Sequence, residues 1–463
     1  MIRILYQHSW SEFPRGQEDS GSSEDSDNDD YKTAISTFST ATYHTAISGT
    51  GIDHERKLGR LQLDAEYAKI LLRKQLFPVD LDHEKNWSGR GQHVEFGRHE
   101  KSLLDGLFQV EHTLGSTSSA IVQSVKCRRI LLARKTIRCN RHFTKDQAIE
   151  EVAHLTRLSH SHIVQAIGTY TIGNDLSILL YPVAEYNLET FLDELYPVQL
   201  HKYEWEERVI SLPKGLPCLC NAVLYIHTNM TKHMDIKPRN ILVRDVRQSE
   251  APHPFNASFK FYIADFGISR SYDSLDATET EGPTRCTRKY AAPEVVDRER
   301  RGLAADIFSL GCVFIEIYSV LARLSQPWAR QNQDKSFSEF AWIMRRTAYE
   351  EATYEYASDN DLLDQLLNVL AGNELGDTSY QANIIPVQEF LSMIGKDNPF
   401  FEKPLQEVIR MISANPRQRP TAEELAAYWG KTEPCCSSGR DKLEAAPTIH
   451  VTDNVLQMIP TRA

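Results

Sequence analysis

The stretch HMDIKPRNILV at 233–243, followed by DFG at 265–267, decides the fold of this chain. It sets a carboxylate (Asp235), an ammonium (Lys237) and an amide (Asn240) at offsets 0, 2 and 5, and DFG adds a second carboxylate, Asp265. A carboxylate can take the proton of an attacking hydroxyl, and an ammonium beside it offsets negative charge on a group in transfer. An amide oxygen and a second carboxylate are hard ligands of the kind a divalent cation takes. So many fixed residues in order leave little room for a chance match in a soluble helix–loop stretch.

These segments resemble the catalytic loop and the metal-binding segment of eukaryotic-type protein kinases. The resemblance implies Asp235 as catalytic base and Lys237 as its cation. It also implies Asn240 and Asp265 as metal ligands and part of a nucleotide site, with ATP and Mg²⁺ as cofactors. Lys237 followed by Pro238 resembles the Ser/Thr class, which implies protein substrates with Ser or Thr acceptors. The residue before Asp235 is Met234, where many kinases carry an arginine that pairs with a phosphate on the activation segment. Methionine makes no charge-assisted pair. Activity is therefore expected not to depend strongly on phosphorylation of 268–292, where Thr278, Thr280 and Thr284 are the candidate phosphosites. Thr287, in the closing motif CTRKYAAPEV at 286–295, is expected beside Asp235 and Lys237. Asp306 in AADIFSLGCVF matches an aspartate that anchors the catalytic loop, and Arg419 in NPRQRPTAEEL one that pairs with Glu294. Together DIKPRNILV, ADFGISR and DIFSLGCVF are similar to serine/threonine kinases expanded in filamentous fungi.

Upstream, apolar alternation at 107–114, 118–126 and 129–138 predicts three strands in a meander. A helical pattern follows at 144–158, then strands near 163–171 and 176–182, and mainly helix from 187 to about 430. Strands before helices predict an α+β, bilobal, protein-kinase-like fold: a small β-sheet lobe with one helix and a larger helical lobe. In IVQSVKCRRILLARKTI, alternation puts Leu131, Ala133, Lys135 and Ile137 on one face. A lysine on an apolar face needs an anionic partner. Thr144 with Gln147 predicts a capping box that starts the next helix. Helical spacing puts Ala148, Glu151, Leu155 and Leu158 on the core stripe, and Gln147, Glu150, His154 and Arg157 on the polar face. Glu151 is therefore the expected partner of Lys135, and Glu150 the solvated residue.

The resemblance makes Lys135, with Glu151, the holder of the ATP α- and β-phosphates. The phosphate-covering loop LGSTSSAIV at 114–122 keeps Gly115 but carries Thr117 and Ala120 where the family has glycine. Leu114, Gly115, Val122 and Ala133 are expected to line the nucleotide site. In LSILLYPVAEYNL at 176–188, Leu180 is expected behind the adenine and the backbone of Tyr181 and Val183 against it, with Pro182 stiffening the link. Asn187 stands near where many kinases carry an acidic residue, so a preference for basic substrates is not implied.

The chain has 463 residues, 41% apolar and 25% charged, with a net charge of −11. That charge argues against a nucleic-acid binder or an anionic-membrane binder. Eight cysteines, scattered apart from Cys218/Cys220 and Cys435/Cys436, predict reduced thiols and a cytoplasmic or nuclear location. MIRILYQHSWSEF at the N-terminus lacks the features of a secretory signal. The apolar run at 303–322 carries Asp306 and Glu316 and is expected to be a buried helix rather than a membrane span.

The organisation expected is a disordered acidic Ser/Thr-rich region at 1–54, with EDSGSSEDSDNDD at 18–30, then a helix and linker at 55–102. Leu58, Leu61, Ala65, Ile70 and Leu72 carry the helical spacing within 55–76, and 80–100 reads as linker. The kinase domain is expected at 103–430, with a small lobe at 103–182 and a helical lobe at 183–430, and a flexible tail at 431–463. Insertions at 244–260 and 329–400 read as surface elaboration. The rival reading is a pseudokinase scaffold, supported by the depleted glycine loop and Met234 and opposed by the intact Lys135, Glu151, Asp235, Lys237, Asn240 and Asp265. A small-molecule kinase is disfavoured by CTRKYAAPE. Oligomeric state is not legible.

Overall fold

The computed structural model describes residues 66–80, 83–141, 143–195, 202–247, 258–272, 274, 276–281, 286–331 and 362–430. A short helix, α1 (Glu66–Arg73), precedes strand β1 (His93–Phe96) and helix α2 (Lys101–Leu107). The predicted meander follows as β2 (Phe108–Ser116), β3 (Ala120–Cys127) and β4 (Ile130–Arg138). Helix α3 (Lys145–Arg157) leads to β5 (Gln165–Ile172) and β6 (Asp175–Tyr181). These strands form one six-stranded sheet in the order β1-β5-β6-β4-β3-β2, antiparallel except for the parallel β1–β5 pair.

The second lobe is mainly helical, as expected: α4 (Leu188–Asp193), α5 (Lys202–Thr228), α6 (Pro293–Val296), α7 (Ala304–Gln331), α8 (Leu362–Ala371), α9 (Ile384–Asp397), α10 (Pro399–Met411) and α11 (Ala422–Trp429). Two small sheets flank the segments 233–240 and 264–269. One joins β7 (Tyr186–Asn187), β9 (Ile241–Asp245) and β10 (Phe259–Ile263); the other joins β8 (Thr231–Lys232) and β11 (Arg270–Ser271). The long apolar stretches Glu207–Thr228 and Ala304–Ala322 are mostly buried, which places both in the core.

The stretch expected to be a linker, 80–100, instead contains β1 and a wholly buried tryptophan, Trp87. With Val94, Phe96, Leu104 and Phe108 it covers Val125, Leu132, Ile167, Tyr170 and Leu179 on the sheet's outer face. Trp87 stacks on Phe108 at 5.4 Å between ring centres and lies 5.7 Å from Tyr170, and its Nε1 donates to the Gln92 carbonyl at 2.9 Å. Gly168 permits this approach, because a Cβ there would meet the Gln92 carbonyl oxygen at 2.2 Å and Trp87 Nε1 at 2.5 Å. A four-residue strand and one indole leave no periodicity in the sequence, which is why the segment read as linker.

The same double cover buries β4 from both sides, with Lys135 and Ile137 buried on the expected face. Leu132 is buried on the outer side, while Leu131, at the strand's end, is exposed. In the first helix, Leu58, Leu61 and Ala65 lie outside the described residues. Leu72 is exposed, and Tyr67, Ala68, Ile70 and Leu71 form the buried face. On α3 the capping box of Thr144 and Gln147 is present, but His154 is buried with its Nδ1 3.1 Å from Ser271 Oγ. Glu150 is not free in solvent; it is half-buried and paired with Lys74.

Candidate active site

The catalytic loop hangs from the start of α7. Asp306 accepts from the backbone N–H groups of His233 and Met234, each at 2.8 Å, and pairs with His227 Nε2 at 3.1 Å. Burial opposes its charge, but the His227 bond and the neighbouring imidazoles hold its carboxyl below the usual carboxylate value. Those two bonds fix a sharp bend, for Met234 has φ of 70°, a conformation that disfavours side chains. His233 completes the support: Asp235 N–H donates to its Nδ1 at 3.3 Å and its Nε2 donates to the Ala264 carbonyl at 3.0 Å.

Asp235 is thereby presented with both oxygens occupied by loop groups. Thr287 Oγ1 donates to its Oδ1 at 2.7 Å, Asn240 Nδ2 donates to its Oδ2 at 2.9 Å, and Lys237 Nζ lies 3.2 Å from Oδ2. Lys237 Nζ also donates to Thr287 Oγ1 at 2.7 Å, so the expected Thr287 contact is present. Asn240 spends its amide nitrogen on Asp235, which leaves its oxygen as the end a cation can take.

A second cluster joins the lobes. Lys135 Nζ donates to Glu151 Oε2 at 2.8 Å and reaches Asp265 Oδ1 at 3.5 Å. Burial works against the Lys135 charge, but Asp265 and Glu151 hold its pKa above the ordinary value. Burial likewise pushes the Glu151 carboxyl up, and it opposes the charge of Asp265, which Lys135 nevertheless holds down. Asp265 has φ of 61°, and Ala264 N–H donates to the Asn240 carbonyl at 2.9 Å, which couples the two clusters.

Sheet register places the expected lining residues. Gly115 pairs with Val122, Val122 with Lys135, and Ala133 with Leu180, so Val122 and Ala133 share the Lys135 face. Leu114 is largely exposed at the end of that hairpin. Thr117, at a position where the family has glycine, ties its own turn: Ala120 N–H donates to its hydroxyl at 3.0 Å. Tyr181 and Val183 flank Pro182 between the lobes, and the Tyr181–Pro182 peptide is cis. Asn187 is a helix cap, accepting from Thr190 N–H at 2.9 Å, and not a free polar group.

Position 234, where a cation is expected, carries methionine, and the structure has a buried cation at 232 instead. Lys232 is fully buried, and its Nζ donates to the Thr278 carbonyl at 2.6 Å, to Thr280 Oγ1 at 3.0 Å and to the Arg301 carbonyl at 3.3 Å. Burial pushes its pKa down to about 8, with Asp306 pulling the other way. Of the candidate phosphosites, Thr278 is buried, Thr280 is half-buried against Lys232, and Thr284 lies outside the described residues. A lysine beside a catalytic motif gives no sequence signal of burial, since lysines sit mostly on surfaces.

The far supports are in place. Arg419 forms a two-bond fork with Glu294 at 2.7 and 2.8 Å. Part of the insertion read as surface elaboration packs on the closing motif: Tyr380 N–H donates to the Lys289 carbonyl at 3.0 Å, and Arg288 pairs with Asp377 at 2.7 Å. Tyr290, Tyr380 and Lys289 converge on Glu316 Oε1 at 3.0, 3.0 and 3.1 Å.

The fold and these clusters define a protein kinase, and comparison with known proteins agrees. Residues 108–429 match the family model of the protein kinase domain. The chain belongs to the eukaryotic-type protein kinase family. It is 30% identical over 173 residues to the probable serine/threonine-protein kinase fhkC of Dictyostelium discoideum, covering 36% of this chain and 25% of that protein. It is 30% identical over 186 residues to mitogen-activated protein kinase kinase kinase 3 of Arabidopsis thaliana, covering 40% and 24%. It is 26% identical over 237 residues to death-associated protein kinase 2 of Mus musculus, covering 49% and 57%. In each case the match spans less than two thirds of the relative's length. The family implies ATP and divalent-metal use and protein substrates, and the oxygen donors of Asn240 and Asp265, with Lys135 beside them, fit such a group.

Proposed function

We propose that this chain is a catalytically competent serine/threonine kinase that transfers the γ-phosphoryl group of Mg·ATP to Ser and Thr hydroxyls of proteins. One observation carries the reading: Asp235, Lys237, Asn240 and Thr287 form a closed hydrogen-bonded set beside an intact Lys135–Glu151 pair. Bound Mg·ATP would supply the phosphoryl group and the metal's charge. Asn240 and Asp265 would hold the cation, and Lys135 the phosphates. Asp235 orients the acceptor hydroxyl and takes its proton, in a position held by Asn240 and by the Asp306-anchored loop. Lys237, 2.7 Å from Thr287 and 3.2 Å from Asp235, offsets charge on the transferring group.

The Ser/Thr assignment draws support from Lys237 and Pro238 and from the Dictyostelium relative, itself a probable serine/threonine-protein kinase. The motif wording supports a place among kinases expanded in filamentous fungi. The six described cysteines that are free support a reducing location, cytoplasmic or nuclear. The scaffold alternative draws on the threonine-pinned phosphate loop. The deciding experiment is Mg·ATP-dependent transfer to a generic basic protein beside Asp235→Asn. Loss of about 10²- to 10⁴-fold in the variant is expected. Well-folded wild-type protein that gives neither transfer nor an ATP-induced thermal shift favours the scaffold.

A further inference from the structure

Helix α1 lies outside the residues that match the kinase family, yet it is built into the small lobe. Tyr67, Ala68, Ile70 and Leu71, with Leu76 and Phe77 after the helix, are buried in the same core as Ala148, Ile149 and Val152 of α3. The helix ends in a Schellman-type turn: Gln75 has φ of 58°, and Leu76 N–H donates to the Leu71 carbonyl at 2.9 Å. That turn folds Leu76 and Phe77 inward and sets Arg73 and Lys74 beside α3. Arg73 pairs with Asp146 in the first turn of α3, and Lys74 pairs with Glu150. Tyr67 also bonds Thr169 of β5, so α1 is tied to the sheet as well as to α3.

Glu150 adjoins Glu151, the residue that holds Lys135 at 2.8 Å. A buried ion pair repays its desolvation only when its geometry is held, so the position of α3 decides whether this pair forms. Two ionic tethers and an apolar seat fix α3 along the turns that carry Glu151. We infer that the segment 66–77 is a positioning element carried by the chain itself, which holds α3 so that Glu151 stays on Lys135. A phosphate-binding lysine would then be set by a contact in cis, on residues that the family's own segment lacks.

The inference rests on the proposed function for its consequence in turnover, so its test reads α3 directly. The full-length chain is compared with Lys74→Glu, Glu150→Lys and the double exchange, all at half-buried positions. Lys74→Glu should speed amide hydrogen exchange across 145–157 and weaken Mg·ATP binding, each by about five- to tenfold, with an unchanged melting midpoint. The double exchange should restore both. Unaltered exchange in α3, a change that merely follows global melting, or failure of the double exchange to rescue would overturn the inference. Should the wild-type chain bind no nucleotide, the proposed function fails while the exchange arm still decides α1.

Discussion

His93 shows at the scale of one residue how the upstream segment is bound to the lobe. Its Nδ1 lies 2.7 Å from Thr169 Oγ1, the hydroxyl that Tyr67 also meets. Burial pushes the His93 pKa from 6.5 down to about 4. Below pH 6.5 the unfolded chain takes up a proton that the folded chain refuses until about pH 4. Stability therefore falls as pH drops through that window, by up to about 1.4 kcal/mol per pH unit from this group. His93→Asn should flatten part of the slope in urea midpoints between those pH values. A slope identical to wild type would remove His93 as its cause. At this scale the grouping of Asp235, Lys237 and Asn240 was legible, because they lie within one loop and their spacing is local. Lys232 was not, because its partners Thr278, Thr280 and Arg301 lie far along the chain, whereas the Asn187 cap is made locally to Thr190.

The activation segment makes the corresponding argument at the scale of elements. Lys232 bonds two residues of the segment and Arg301 through carbonyl and hydroxyl oxygens, and needs no phosphate to do so. Met234 supplies no cation at the usual place. Phosphatase-treated protein is therefore expected to keep its activity within about twofold, a change worth less than 0.5 kcal/mol in barrier. Activity abolished by phosphatase and regained on rephosphorylation within 268–292 would count against the Lys232 tie. Element patterns were legible where they were long: β2, β3, β4 and α3 lie within two residues of their expected ends. The stripe on α1 leaves Leu72 exposed against expectation, because eight residues give too few turns to fix its phase.

For the whole molecule, the small lobe extends upstream of the segment that matches its family. Trp87, Val94 and Phe96 each bury a side chain against the sheet's outer face. At about 1.5–3 kcal/mol per large apolar side chain their removal amounts to about 5 kcal/mol or more, comparable with the whole stability of a domain. A chain cut to 103–430 should aggregate or melt well below the full chain. Equal melting midpoints for the 103–430 chain and the full chain would reject the outer core as a stability element. The α+β order of the two lobes was plain from strands preceding helices. The outer core was not, since β1 pairs with a strand far from it in sequence and no local pattern announces a partner.

That distant pairing also sets an order of assembly. His93 meets Thr169 across 76 residues, whereas the β2–β3–β4 hairpins close over short turns. Loop closure over such a span costs chain entropy before any contact offsets it, so local hairpins form first and β1 docks late. On a ribosome, the upstream segment leaves the exit tunnel early and then waits for β5 to be synthesised. Trp87 is in the part that waits, so its fluorescence should be the last small-lobe signal to reach its native value during refolding.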